Sequence, residues 1–141
     1  DCAKCIPGHT KIKMSEKYNL EISEIERKNP SLLHAKLGAY LAKDKYDIED
    51  EEILMAIRSH TTGRPGMNLL EKIVYIADYM EPGRKELPNM TDVRHLAFED
   101  IDKCLYRILR DSLVYLKSQD MPIDQTTEET YKYYNELYSK H

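Results

Sequence analysis

Apolar residues recur along this chain at intervals of three and four, the spacing of one helix face. No run alternates apolar and polar positions long enough to predict a strand, and no two-residue hairpin signal occurs. Pro7-Gly8 closes a short opening segment, residues 1–8. A weakly amphipathic helix is predicted over residues 11–18 and a second over 23–28. Asn29-Pro30 predicts a helix start, with Asn as N-cap and Pro at the first helical position, running to about residue 43. The acidic run Asp47–Glu52, favoured at a helix N-terminus, opens the next helix, which passes through Ile53, Leu54 and Ile57 to His60. Thr61-Thr62-Gly63-Arg64-Pro65-Gly66 breaks it. Asn68 and Glu71 have capping-box spacing and begin a helix that reaches Met80, before Pro82-Gly83. One helical stretch over residues 92–117 and a last, Tyr-rich and exposed one over 127–139 complete the pattern. With no repeat and no linker, residues 1–141 are predicted as one all-α domain, a bundle of five or more helices.

Composition narrows the classes. The 21 Lys and Arg against 25 Asp and Glu leave a net charge of −4, which lacks the basic footprint of a nucleic-acid binder. No stretch reaches the roughly 18 apolar residues of a membrane helix, and the opening residues lack the apolar core of a signal peptide. Three Cys then read as reduced thiols of a cytoplasmic protein. The chain starts at Asp1 without a Met, so an upstream part is expected to be missing.

Candidate chemistry lies in polar residues on apolar faces. Ile53, Ile57 and His60 share a face, which aims His60 into the core. His34 shares a stripe with Leu37, Gly38 and Leu41, and Gly38 leaves space beside the imidazole. Asp78 lies on a helix that is apolar over most of its circumference, so that helix is expected to be largely buried. A lone inward His is usually a hydrogen-bonded core residue, whereas a buried carboxylate needs a cation, either Arg or Lys or a metal. Two His and one Asp on inward faces of different helices favour Fe, Mn or Zn. The loop Thr61–Arg64, and Arg84 beyond the next helix, can hold phosphate oxygens; by spacing alone Gly63 and Gly66 need only make a turn. Cys2, Cys5 and His9 form half of a zinc pattern that Cys104 or His141 would have to complete, or Cys2 and Cys5 a redox pair. His95 reads as surface.

The segments EIERKNPSLLHAKLGAYL (24–41) and AIRSHTTGRPGMNLLEKIVYIADYMEPGR (56–84) resemble the YqeK-type branch of the HD-domain phosphohydrolases. The resemblance extends from Asp1 to about residue 123 and is most specific between His60 and Arg84. It implies that Asp1 is the Asp of the His-Asp dyad, with Lys4 its following Lys, and that Asp1, His34, His60 and Asp78 are metal ligands. The dyad's His and the family's first His would lie upstream of Asp1. The implied activity is symmetrical hydrolysis of diadenosine tetraphosphate to two ADP; another nucleotide is the alternative. Asp1 and Asp78 would hold the principal ion, usually iron, with Mn or Zn possible. His34 and His60 would hold a second ion or the substrate phosphates. Thr61, Arg64, Arg84 and Lys4 would contact the nucleotide. Without upstream helices the chain is expected to bind metal weakly, hydrolyse slowly and expose apolar surface that favours a homo-dimer. The competing readings are a non-enzymatic helical module and a partner-binding domain using Tyr131, Tyr133, Tyr134 and Tyr138.

Overall fold

Helices carry the whole architecture of the computed structural model, which describes residues 2–83 and 87–139. In chain order they are α1 (Gly8–Lys17), α2 (Glu24–Lys28), a 3-10 turn (Pro30–Leu33), α3 (His34–Tyr46), α4 (Glu51–Ser59), α5 (Leu69–Tyr79), α6 (Met90–Glu99), α7 (Ile101–Ser118) and α8 (Gln125–Ser139). No strand occurs among the described residues, as the all-α expectation requires. The chain forms two compact units, residues 1–61 and 62–141.

In the first unit, local chemistry sets the boundaries. Ser23 and Glu26 close a reciprocal capping box on α2. Pro30 supplies a fixed φ but no N–H, and Asn29 makes no side-chain cap; its amide donates back to the Ile25 carbonyl instead. The helix expected from Asn29-Pro30 is therefore split. A 3-10 turn comes first, and α3 starts only at His34 and runs on to Tyr46. Asp47 stops it in the left-handed conformation at φ 54°, and Asp50 caps α4 by accepting from the Glu52 and Ile53 amides. Ala3, Leu37 and Leu41 form the core of this unit.

Helices α3 and α4 pack closely at Gly38, where an added Cβ would lie 3.7 Å from Ile57 Cγ2. The space expected beside His34 is thus about one carbon deep, bounded by Ile57. The buried residues of α4 are Leu54, Ala56 and Ser59. Ile53 remains 40% exposed, so the expected stripe through Ile53, Ile57 and His60 is turned partly outward.

In the second unit, Asn68 and Glu71 form the predicted capping box on α5. The stretch expected as one helix over 92–117 is two. Asp100 adopts an extended conformation and its carboxylate accepts from the Asp102 and Lys103 amides, ending α6 and starting α7. The core joins Met67, Tyr75, Ile76, Val93, Cys104, Leu105, Ile108, Leu109 and Tyr134. Helix α8 is not the exposed element its Tyr content suggested. Tyr134 is buried, and Tyr131 and Tyr138 pack beside Tyr106. Helix α5 departs the other way, with Leu69 and Ile73 exposed on a helix expected to be largely buried.

Candidate metal centre

His34 opens α3 and His60 ends α4, and the packing of these two helices brings the imidazoles together. Their Nε2 atoms lie 3.0 Å apart, with the rings edge to face. Each ring is held from behind. His34 Nδ1 donates to the Ser31 carbonyl at 2.6 Å, and His60 Nδ1 donates to the Ile57 carbonyl at 2.5 Å. A carbonyl only accepts, so both Nδ1 atoms carry hydrogen and the neutral tautomer of each ring presents an Nε2 lone pair. The two Nε2 atoms face each other across 3.0 Å, an arrangement that a positive species, either a shared proton or a metal cation, would stabilise. A backbone carbonyl behind the non-ligating nitrogen is also the usual support of a metal-bound His. The donor set therefore fits a transition cation held by neutral imidazoles.

Burial and nearby charges favour the neutral state of His34. Burial is the main cause that pulls the His34 pKa below its ordinary value, and His60, Lys11 and Lys4 push the same way against the Ser31 hydrogen bond. Lys11, on α1, is buried, and its Nζ donates to the Lys4 carbonyl at 3.3 Å. The Lys4 residue itself is exposed.

The other predicted residues separate by role. Thr61 is half-buried directly after His60, and Asp78 is half-buried on α5. Asp1, Arg84 and His141 lie outside the described residues. Arg64, expected to contact the nucleotide, forms an ion pair within the fold. Its Nε and Nη2 donate to the two Glu71 oxygens, each at 2.6 Å, and Glu71 is 1% exposed. Gly63 and Gly66 both have positive φ, near 70°, so the loop between α4 and α5 needs glycine for its turns. Met67 then donates its amide to the buried Tyr134 hydroxyl at 2.9 Å. Cys2, Cys5 and His9 are exposed, while Cys104 packs between α6 and α7, with burial pushing its thiol up to about 11. No group of three His, Cys, Asp or Glu able to hold a metal occurs among the described residues, so the zinc half-pattern is not completed there. His95 lies at the surface and pairs with Glu99.

Residues 1–83 match the HD domain family. The chain belongs to the HD-domain family. A symmetrical bis(5'-nucleosyl)-tetraphosphatase of Bacillus subtilis is 45% identical over 105 residues, which is 74% of this HD-domain chain and 56% of the relative. The protein of the same name from Staphylococcus aureus is 40% identical over 74% of this chain and 54% of its own. The chain spans about half the length of the curated relatives it matches. A crystal structure of an HD superfamily hydrolase from Clostridium acetobutylicum, described as involved in NAD metabolism, superposes with a TM-score of 0.91 at 39% identity, covering 97% of this chain and 72% of that one. Membership of the HD-domain family implies dependence on a divalent metal. No helix among the described residues is long and apolar enough to cross a membrane.

Two elements of this HD-domain chain escaped the sequence reading. Glu71 was legible as a helix cap, but the Arg64 fork onto it was not, although a seven-residue separation across a loop is the only available hint. Lys11 read as one polar position of a weak amphipathic helix, and nothing in its spacing signalled burial.

Proposed function

We propose that this chain hydrolyses nucleoside polyphosphates in a metal-dependent reaction, with diadenosine tetraphosphate cleaved symmetrically into two ADP. The observation that carries the reading is the His34–His60 pair, whose Nε2 atoms meet at 3.0 Å while each Nδ1 turns to a backbone carbonyl, as in an imidazole set to ligate a cation. The names of the relatives supply the substrate class. Iron is the proposed metal, with Mn or Zn as substitutes that the same donor chemistry accepts.

A bound divalent cation would supply Lewis acidity toward phosphoryl oxygens and water of lowered pKa. The chain's own residues have the following parts. His34 and His60, whose Nδ1 atoms donate to the Ser31 and Ile57 carbonyls, would offer Nε2 to the cation. Asp1 and Asp78 enter the proposed ligand set on the family resemblance, as anionic oxygen donors. Lys4, Thr61 and Arg84 enter the nucleotide-binding set on the same ground, and the two cations would offset the charge on the transferring phosphoryl group. Arg64 is left out of the nucleotide set because its Nε and Nη2 are committed to Glu71.

The test is product analysis. Diadenosine tetraphosphate is incubated with the protein and Fe(II), Mn(II) or Zn(II) in turn, and the nucleotides are separated by ion-exchange chromatography. ADP as the sole product, lost in His60→Gln, supports the proposal. ATP with AMP overturns the symmetrical cleavage. Preferential turnover of a mononucleotide overturns the substrate, and no hydrolysis with any of the three metals overturns the enzyme reading.

A further inference from the structure

Helix α3 starts without the usual local signals. Its N-cap, Leu33, makes no side-chain cap, and no acidic residue stands in its first turn. The third residue of the helix is instead Lys36, a cation at the positive end of the helix dipole, where local preference disfavours it. Its ammonium reaches back along the chain, donating to the Glu26 carboxylate at 2.8 Å and to the Glu21 carbonyl at 2.8 Å. Glu26 is buried, and the same oxygen, Oε1, also accepts from the Ser23 amide at 2.9 Å, so one carboxylate caps α2 and anchors α3. The Lys36–Glu26 ion pair thereby ties together the two ends of the segment 26–36. Inside that segment lie Ser31, whose carbonyl accepts from His34 Nδ1, and His34 itself. Residues two apart on a helix do not face each other, so Lys36 acts on His34 through the backbone and not by contact with the ring. A local preference broken beside a candidate site, by a residue engaged in a longer-range contact, is the pattern of a side chain kept for placement.

We propose that Lys36 is a positioning residue for the His34–His60 pair: by bridging the Glu26 carboxylate and the Glu21 carbonyl it fixes where α3 begins, and so where His34 Nε2 stands to share a cation with His60. The proposal rests on the metal-site reading of that pair. The two imidazoles arrive on differently defined helices. His60 ends α4, whose start is set by the Asp50 cap. His34 opens a helix with no side-chain cap, preceded by a 3-10 turn that has none either. Ligand sets work when they are held to within about 0.5 Å, which an unfixed helix start does not supply. The lysine provides on the His34 side the definition that capping provides on the other. Its pair with a largely buried carboxylate is held more firmly than an exposed one such as Arg27–Glu16 in the same unit.

The alternative is an ion pair that stabilises the first unit and does nothing more. Calorimetric titration with Zn(II), run beside thermal melts of the metal-free protein, separates the two. Lys36→Met is expected to weaken Zn(II) binding roughly tenfold, the lower end for residues that orient metal ligands, and Lys36→Arg to keep it within about threefold. Glu26→Gln, which retains an acceptor for the Ser23 amide, is expected to weaken it by about threefold to tenfold. Arg27→Ala, which breaks the exposed pair with Glu16, is expected to leave it unchanged. A lower melting temperature with wild-type Zn(II) affinity in Lys36→Met and Glu26→Gln overturns the positioning role, as does an equal loss of affinity in Arg27→Ala. If Lys36→Met does not fold, Glu26→Gln against Arg27→Ala decides. His60→Gln tells this failure from that of the metal reading. Zn(II) binding that His60→Gln leaves intact removes the metal site, and the role of Lys36 with it. Binding lost in His60→Gln but kept in Lys36→Met and Glu26→Gln keeps the site and removes only the role of the lysine.

Discussion

Two close pairs of polar side chains, one in each unit, are built on opposite principles. In the Arg64–Glu71 pair every contact joins a donor to an acceptor. The guanidinium fork meets the carboxylate at two points, and the Asn68 amide meets one of the same oxygens at 3.3 Å. In the His34–His60 pair, the outer nitrogens are matched to carbonyls while the inner ones set acceptor against acceptor when both rings are neutral. The first pair is complementary within itself and stabilises the fold. The second would gain complementarity from a cation, which is why it is proposed as a metal site. Burial alone would not have told them apart, since Glu71 and His60 are both buried. The matching of donors to acceptors does.

The largest effect expected from this contrast is on stability. Arg64→Ala leaves the Glu71 carboxylate buried without its fork and is expected to cost about 3 kcal/mol in denaturant unfolding, the lower end for a broken buried pair because the Arg64 side chain is 37% exposed. A loss under about 1 kcal/mol would erase the distinction between the pairs.

A comparable but conditional effect is expected at the histidines. A saturating divalent metal at about one hundred times its dissociation constant should raise wild-type stability by about 2.7 kcal/mol. His60→Gln should remove most of that gain while changing the metal-free protein little, because Gln can donate to His34 Nε2 and relieve the opposed lone pairs. Equal metal stabilisation of wild type and variant in thermal melts would remove the cation from the comparison.

The smallest effect expected is a pH dependence. Burial, aided by His60, Lys11 and Lys4, depresses the folded-state pKa of His34 below its ordinary 6.5. The folded protein then binds fewer protons than the unfolded chain in that window, so stability rises with pH there. The contribution is fully present above the unfolded value and is lost as pH falls through the folded one. Melting temperatures of the metal-free protein should therefore decline below about pH 6.5, and His34→Gln should flatten part of that decline. An unchanged slope in the variant would assign the acid sensitivity elsewhere.

Helix type and many boundaries were legible in the chain because they are written locally. The Asn68–Glu71 box and the Asp50 cap each lie within a few residues of what they cap. The misses share a cause in interactions that local pattern does not encode. Apolar spacing made residues 92–117 look continuous, yet the Asp100 side chain captured two amides and started a new helix. Tyr content suggested an exposed α8, but Tyr134 finds the Met67 amide 67 positions away. At the site, the residue types His34 and His60 could be picked out in advance. Their 3.0 Å meeting could not, because it depends on how α3 packs on α4. Lys11 was hidden for the same reason, since a lysine on an amphipathic helix is ordinarily solvated.

The contact of Gly38 with Ile57 carries a consequence of scale. With a notional Cβ 3.7 Å from the Ile57 methyl, one added carbon is tolerable and a branched side chain is not. Three residues past Ile57 stands one imidazole, and four residues before Gly38 stands the other. Glycine thus works as the jaw setting of a caliper: a bulkier residue at that point would open the gauge between two nitrogens it never touches.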